Sequence, residues 1–297
     1  MIEDKLLYKE FLIKKVENQM AEENLSITLK TGYSIIDDNV GGLRSGQLFY
    51  LCARPAIGKT TFMTNILYNI LETKQLGEND YILFLSLEST PLEVIKKLVA
   101  LKEDKEIKET INSCDFGQKA KKFIEQNNVI IYNCKDNGSY FDISQLGKIL
   151  QNFYADNKHI SSIFIDYFSL LDPNDGKRQQ HERLSKISGT LKNIALKYNV
   201  NIFSLAQLSR EYEKRASKSP TLADIKGSGS LEQDGDVIAF LYDKNTEAEE
   251  NGKYLFLTIA KNRNGSTPTK NLIFDLSKGK ISEMITPFRK IKECVNE

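Results

Sequence analysis

Lys59 and Thr60 close the run Ala53-Arg54-Pro55-Ala56-Ile57-Gly58-Lys59-Thr60, where residue type and spacing point most directly to chemistry. The run fits the phosphate-loop pattern G-x-x-x-x-G-K-[ST] at every prescribed position but the first. In such a loop the backbone N–H groups wrap the β- and γ-phosphates of a nucleotide, the lysine adds a point charge, and the hydroxyl ligates Mg²⁺. Ala53 stands where the first glycine is expected, while Gly58, at the closest approach of backbone to phosphate, is intact. With Thr61, which follows, these residues form the candidate nucleotide-binding set.

A phosphate loop works only between a strand that anchors it and a helix whose N-terminus faces the anion. Both flanks are present. Residues 47–52 are a continuous apolar run, and residues 61–71 carry the apolar spacing of an amphipathic helix. In an open α/β sheet, ligands gather at the carboxyl ends of strands, so the residue after each apolar run matters. Residues 81–87 lead to Glu88, 163–165 to Asp166, and 200–206 to Gln207. Asp166 suits a Mg²⁺-holding acid, Glu88 a base that orients and deprotonates an attacking water, and Gln207 a hydrogen-bonding sensor of the γ-phosphate. Each of these taken alone reads equally as a helix cap or a turn residue.

Further along the chain, short apolar runs alternate with helical patterns. Strands are expected at 47–52, 81–87, 129–132, 162–166, 200–206, 237–242, 254–260 and 270–275, and helices at 59–74, 91–102, 118–127, 142–157, 182–198 and 229–234. That alternation predicts an α/β fold, a mainly parallel sheet covered by helices on both faces. The last two strands flank Asn264-Gly265 with no helix between them and predict an antiparallel hairpin. Residues 3–22 place Leu6, Leu7, Phe11, Leu12, Val16 and Met20 on one helical stripe that must dock on its own domain or on a neighbouring subunit.

The composition narrows the classes. The 297 residues suffice for one large α/β domain with appendages. Lys and Arg number 41 against 40 Asp and Glu, so a basic surface must be local. Residues 177–226 supply one, with eleven Lys/Arg against four Asp/Glu, a net of +7. A polyanion could meet this segment, although solvated helix faces account for many such lysines too. Four scattered cysteines with no C-x-x-C pair argue against a disulfide framework or a zinc site and fit a reduced, cytoplasmic setting. No apolar stretch approaches membrane-spanning length, and the charged start is unlike a signal sequence.

Several motifs occur in an order that resembles the ATPase domain of the DnaB-type replicative helicases. They are Thr31-Gly32-Tyr33, Gly41-Gly42-Leu43, Ala53-Arg54-Pro55…Gly58-Lys59-Thr60, Leu85-Ser86-Leu87-Glu88, Ile165-Asp166-Tyr167, Leu205-Ala206-Gln207-Leu208-Ser209-Arg210, Gly229-Ser230-Leu231-Glu232-Gln233-Asp234-Gly235-Asp236 and Lys261-Asn262-Arg263-Asn264-Gly265. That family also carries Ala-Arg-Pro in place of the leading glycine. The resemblance implies a RecA-like P-loop NTPase core with a C-terminal antiparallel hairpin and an N-terminal linker-like helix. It divides the chain into a linker-like segment 1–28, an ATPase domain 29–286 and a tail 287–297. The collar domain that precedes this module in full-length members has no counterpart in these residues.

The resemblance further implies a homo-oligomer, a hexameric ring, with ATP and Mg²⁺ at each subunit interface. Lys261 and Arg263 match the basic pair that reaches into a neighbour's site, and Arg210, Arg215, Lys226, Gly227 and Gly229 fall on loops that grip single-stranded DNA. Gly227 departs from the pattern, because bacterial members more often carry an acidic residue there. A helicase loader and a primase are the further partners implied. Two other readings share the fold: an ATP-binding regulator of a replicative helicase or its loader, and a strand-exchange ATPase of the RecA/RadA kind. The hairpin Lys-x-Arg-Asn-Gly favours the helicase over the recombinase.

Overall fold

The computed structural model describes residue 14 and residues 27–133, 141–173, 180–215, 217–243 and 252–284. Apart from residue 14, the segment 3–22 lies outside the described residues, as do the tail 287–297 and part of the basic stretch, 177–179.

In chain order the strands are β1 (Thr28–Leu29), β2 (Leu43–Arg44), β3 (Leu48–Ala53), β4 (Asp80–Ser86), β5 (Val129–Tyr132), β6 (Phe141–Asp142), β7 (His159–Asp166), β8 (Leu171–Asp172), β9 (Asn201–Gln207), β10 (Val237–Tyr242), β11 (Gly252–Asn262), β12 (Thr269–Asp275) and β13 (Lys280–Glu283). The described helices are α1 (Ser34–Asp37), α2 (Lys59–Glu72), α3 (Pro91–Glu103), α4 (Ile107–Asn112), α5 (Phe116–Glu125), α6 (Ser144–Ala155), α7 (Gln180–Lys197) and α8 (Ser228–Asp234).

Nine strands form one sheet in the order β13-β12-β11-β10-β3-β9-β7-β4-β5. From β10 to β5 every pairing is parallel, and β10, β11, β12 and β13 pair antiparallel in succession. The fold is therefore the mixed, mostly parallel sheet that the alternating pattern predicts, closed on one side by the expected hairpin and by β13 beyond it.

A strand covered on both faces is apolar at consecutive positions, because successive side chains point to opposite faces. β3 and β10 are buried at every residue. One face carries Phe49, Phe84, Phe164 and Phe203 among the buried residues, and the other carries Tyr50, Leu83, Leu85, Ile163, Ile165 and Ile202. Register aligns the four phenylalanines directly across β3, β9, β7 and β4. Their ring centroids lie 4.9, 5.6 and 6.3 Å apart in that order. This aromatic row fixes the strand register, since a slip of one residue would turn every ring to the opposite face.

Local chemistry sets the helix starts. α3 begins at a capping box: Thr90 Oγ1 accepts from the Glu93 N–H at 3.3 Å, and the Glu93 carboxylate accepts from the Thr90 N–H at 3.0 Å. Pro91 fills the first helical position, where its missing N–H costs nothing. Among the described residues no helix is long and apolar enough to cross a membrane.

Phe203 is fully buried at the centre of the aromatic row. Phe203→Ala is expected to lower the unfolding free energy by about 3–5 kcal/mol. Urea denaturation reads this directly, and a loss under 1 kcal/mol would show that the row does not fix the register.

Candidate functional site

β3 delivers the chain into the loop at Ala53, and α2 begins at Lys59. Gly58 makes the turn between them with φ +110°, a backbone region closed to most side chains, and a Cβ there would sit 2.8 Å from Cε1 of Phe274. The glycine is thus required by both backbone and packing. The first turn of α2 aims its free N–H groups out of the loop, which makes it an anion site when combined with the lysine.

The neighbouring strands bring the acids to this turn. Thr60 Oγ1 donates to Asp166 Oδ2 at 2.8 Å. The N–H groups of Leu87 and Glu88 donate to the Asp166 carbonyl at 2.8 and 3.2 Å, which holds the end of β4 against the end of β7. Lys59 Nζ lies 5.4 Å from the centroid of the Tyr167 ring. Gln207 is the register partner of Ala53, and the Leu208 N–H donates to the Ala53 carbonyl at 3.1 Å. Lys59, Thr60, Glu88, Asp166 and Gln207 therefore meet at one edge of the sheet.

The charges of Asp166 and Lys59 are poorly solvated, whereas Glu88 is exposed. Asp166 is fully buried, and its Oδ1 has no hydrogen-bond partner. Burial, with Glu88's negative charge adding to it, pushes the Asp166 carboxyl up to about 6, against the opposing Thr60 hydrogen bond and the charges of Lys59 and Lys97. Burial also lowers the Lys59 ammonium, while Asp166 and Glu88 act to keep it charged. A buried carboxylate with one oxygen on a threonine hydroxyl and the other unpartnered is the donor set that a hard divalent cation takes. The residues present fit Mg²⁺.

One cation here escapes a reading of the sequence. Lys97, on α3, is lowered by burial and interacts with Asp166, Glu93 and Glu88. The available signal was its place on a helix launched directly after Glu88, but a lone lysine on an amphipathic helix carries no motif.

The other candidates lie apart from this cluster or turn away from it. Arg54 extends its guanidinium to the segment after β9, with Nε 2.9 Å from Glu213 Oε1 and Nη1 donating to the Leu208 carbonyl at 3.0 Å. Arg210, Lys226 and Gly229 are exposed, whereas Arg215 is engaged by Asp224 in an ion pair. Gly227 adopts φ +79° immediately before α8, and a Cβ would meet Leu184 Cδ1 at 2.7 Å, which accounts for glycine in place of an acid. Lys261 and Arg263 sit at the end of β11 that pairs with the start of β10, beside Val237 and Ile238. Because β10 runs parallel to β3, this is the edge of the sheet opposite to the phosphate loop. There Lys261 Nζ donates to the carbonyls of Glu232 and Gly235 at 2.5 and 2.7 Å. Arg263 Nη1 pairs with Asp236 Oδ1 at 3.1 Å, and its Nη2 donates to the Gln233 carbonyl at 2.5 Å.

A mostly parallel sheet with a phosphate loop after an inner strand, an acid after its second neighbour and antiparallel strands on one flank defines a RecA-like nucleotide-binding module. The chain belongs to the family of the DnaB-like helicase C terminal domain, which it matches over residues 28–283. Its relatives include a probable plasmid replicative DNA helicase of Chlamydia psittaci, 30% identical over 86% of this chain and 55% of the relative. The replicative DNA helicase DnaB of Helicobacter pylori strain J99 is 31% identical over 76% of this chain and 46% of the relative. The chain thus spans about half the length of the curated relatives it matches. A solved DnaB-like replicative helicase, studied with its interactions with primase, superposes with a TM-score of 0.74 at 26% identity over 91% of this chain and 65% of its own. A solved ATPase domain superposes with 0.75 at 27% identity over 93% of this chain and 98% of its own.

Asp166→Asn tests the electrostatics. With its folded value about 6 against an ordinary 3.8, Asp166 imposes no penalty where folded and unfolded chains are both protonated. The penalty grows as pH rises from 3.8 and is complete above 6, on the order of 3 kcal/mol. The nucleotide- and Mg²⁺-free variant is therefore expected to melt above wild type at pH 7.5 and to lose that advantage at pH 4. Calorimetry across this range measures the difference, and a variant less stable than wild type at pH 7.5 refutes the account.

Proposed function

We propose that this chain is the motor module of an ATP-dependent replicative DNA helicase, a ring translocase on single-stranded DNA that hydrolyses ATP between subunits. The observation that carries this reading is the separation of Lys261 and Arg263 from Lys59, Glu88 and Asp166 by the length of the central strands. A phosphoryl-transfer site needs positive charge on the γ-phosphate as the bond breaks, and a cation supplied in trans contributes roughly a thousandfold or more. In one chain the basic pair and the acids occupy opposite edges, so the pair serves the site of another copy. A closed ring of such head-to-tail contacts gives every copy a complete site, and a hexamer is the ring size we propose.

Within each site the loop backbone from Arg54 to Thr60 cradles the phosphates, and Lys59 neutralises them. Thr60 and Asp166 would hold Mg²⁺, which would supply positive charge against the charge that develops on the phosphates. Glu88, fixed beside Asp166 by the backbone hydrogen bonds at the end of β4, orients an attacking water and accepts its proton. Gln207 reads the γ-phosphate and passes the difference to the segment that follows it. There Arg210, Lys226 and the amides around Gly227 and Gly229 meet the backbone of single-stranded DNA, with Arg215 shaping the loop. A loader and a primase are the partners proposed for the assembled ring, in the cytoplasm.

Three measurements test the reading. Arg263→Ala subunits mixed with Glu88→Ala subunits are expected to recover part of the ATP turnover that each lacks alone, because some interfaces then join an intact finger to an intact base. Absence of recovery at every ratio, with mixed assembly verified by sizing, rules out shared sites. Oligothymidine is expected to stimulate turnover, with a stimulation that declines steeply between 50 and 200 mM salt (about three-hundredfold in affinity for roughly six phosphate contacts on a single strand). A fork substrate is expected to be unwound under the same conditions. Turnover indifferent to oligothymidine, with the fork left intact, favours a regulator of another helicase.

A further inference from the structure

Arg54 is in the phosphate loop by sequence, yet its side chain contacts the segment after β9. Its guanidinium is nearly buried and divides its donors between two points of that segment. Nη1 reaches the Leu208 carbonyl at 3.0 Å, and Nε reaches the Glu213 carboxylate at 2.9 Å. A planar guanidinium holds such a pair of acceptors in a fixed relation, and charge-assisted bonds of this length are among the stronger ones available.

The segment so held is closed on itself. Leu208 and Ile225 form an antiparallel bridge, the Ser209 N–H donates to the Asp224 carbonyl at 2.7 Å, and the Lys226 N–H donates to the Gln207 carbonyl at 3.1 Å. Inside this stem Asp224 accepts from the Thr221 N–H and hydroxyl at 2.7 and 2.8 Å and pairs with Arg215. Tyr212, beside Glu213 in a 3₁₀ turn over Glu211–Lys214, is buried. These bonds close the stem and brace its turn, and the Glu213 N–H donates to the Arg210 carbonyl at 3.2 Å, so Glu213 has a bonded route to both Arg210 and the stem at Lys226.

We propose that the Arg54–Glu213 ion pair is the link by which nucleotide in the phosphate loop sets the position of residues 209–226, with Glu213 a positioning residue acting through Arg54. Phosphates that bind the loop's amides fix the Arg54 backbone, and its side chain carries that change to Glu213, beyond the end of β9. A ligand shifts a second site only through contacts that differ between two states, and this ion pair is such a contact. Its use in gripping DNA rests on the motor reading above, whereas the link itself requires only that the loop bind nucleotide.

Hydrogen exchange of the full chain tests the link, comparing backbone amides of 209–226 with and without a non-hydrolysable ATP analogue and Mg²⁺. Wild type is expected to slow in this segment by roughly fivefold or more on binding, the lower end of ordinary site-to-site coupling. In Glu213→Ala that difference is expected to vanish while analogue affinity stays within about threefold of wild type. Glu213→Gln, which keeps an acceptor oxygen, is expected to restore part of it. The proposal is overturned if wild type shows no difference, if Glu213→Ala keeps it, or if Glu213→Ala merely raises exchange equally in both states, which is the mark of a structural contact alone. A wild type that shows the Glu213-dependent difference but whose turnover ignores oligothymidine keeps the link and loses the motor reading.

Discussion

A carboxylate cut off from water must find a cation or lose its charge. Asp166 is that carboxylate, fully buried, with one oxygen on Thr60 and the other without a partner. Its desolvation explains why the surrounding groups are where they are. Lys59 and Lys97 approach from two helices and supply positive charge without touching the free oxygen. Glu88 is fastened beside it by backbone hydrogen bonds, with its own side chain exposed at the mouth of the site. Such a site is unfavourable when empty and favourable when a divalent ion and a polyphosphate enter. Stability withheld from the empty state appears as affinity for the occupied one.

Parallel strands make the arrangement possible. Every strand from β10 to β4 that contributes to the site points the same way, so Ala53, Glu88, Asp166 and Gln207 emerge at one edge without any of them being adjacent in sequence. The four-phenylalanine row holds the strands in that register. Reversal begins only at β11, and that single change of direction carries Lys261 and Arg263 to the other edge. A sheet continued in parallel would have placed them beside their own phosphate loop. The antiparallel flank is what keeps the basic pair away from the phosphate loop of its own chain.

Long elements with a strong period were legible in the sequence. β3, β5 and β10 fall within a residue of the apolar runs that announce them, and α2, α3 and α7 within two residues of their stripes. Elements that depend on partners were not. Asp142 reads as the start of a helix, but with Phe141 it is drawn into a two-residue strand by Leu171–Asp172. β13 offers one buried side chain, Ile281, in a polar tetrapeptide, and α4 buries only Thr110. Neither has a pattern to detect. The site divides in the same way. Lys59, Thr60 and Asp166 stand next to strands whose apolar runs locate them. The direction of Arg54 toward Glu213, 159 residues away, and the approach of Lys97 to Asp166 depend on packing that no local spacing encodes.

The two edges are joined by a short piece of chain. α8 starts at Gly227, next to the exposed Lys226, and its seven residues span about 10 Å. Its last carbonyls, those of Glu232 and Gln233, and that of Gly235 beyond, are the acceptors for Lys261 and Arg263. Asp236 then ties this end to the core, accepting from the Leu48 N–H at 2.8 Å and from Lys192 at 2.6 Å while holding Arg263. A helix satisfies its final carbonyls with whatever donors are at hand, and cations are favoured there by the helix dipole. Here the donors are the same basic pair that one copy would offer to the next. The pair is therefore held by its own chain at the end of α8, although Arg263 keeps part of its side chain in solvent. The position of α8 and the availability of Arg263 are two descriptions of one set of hydrogen bonds.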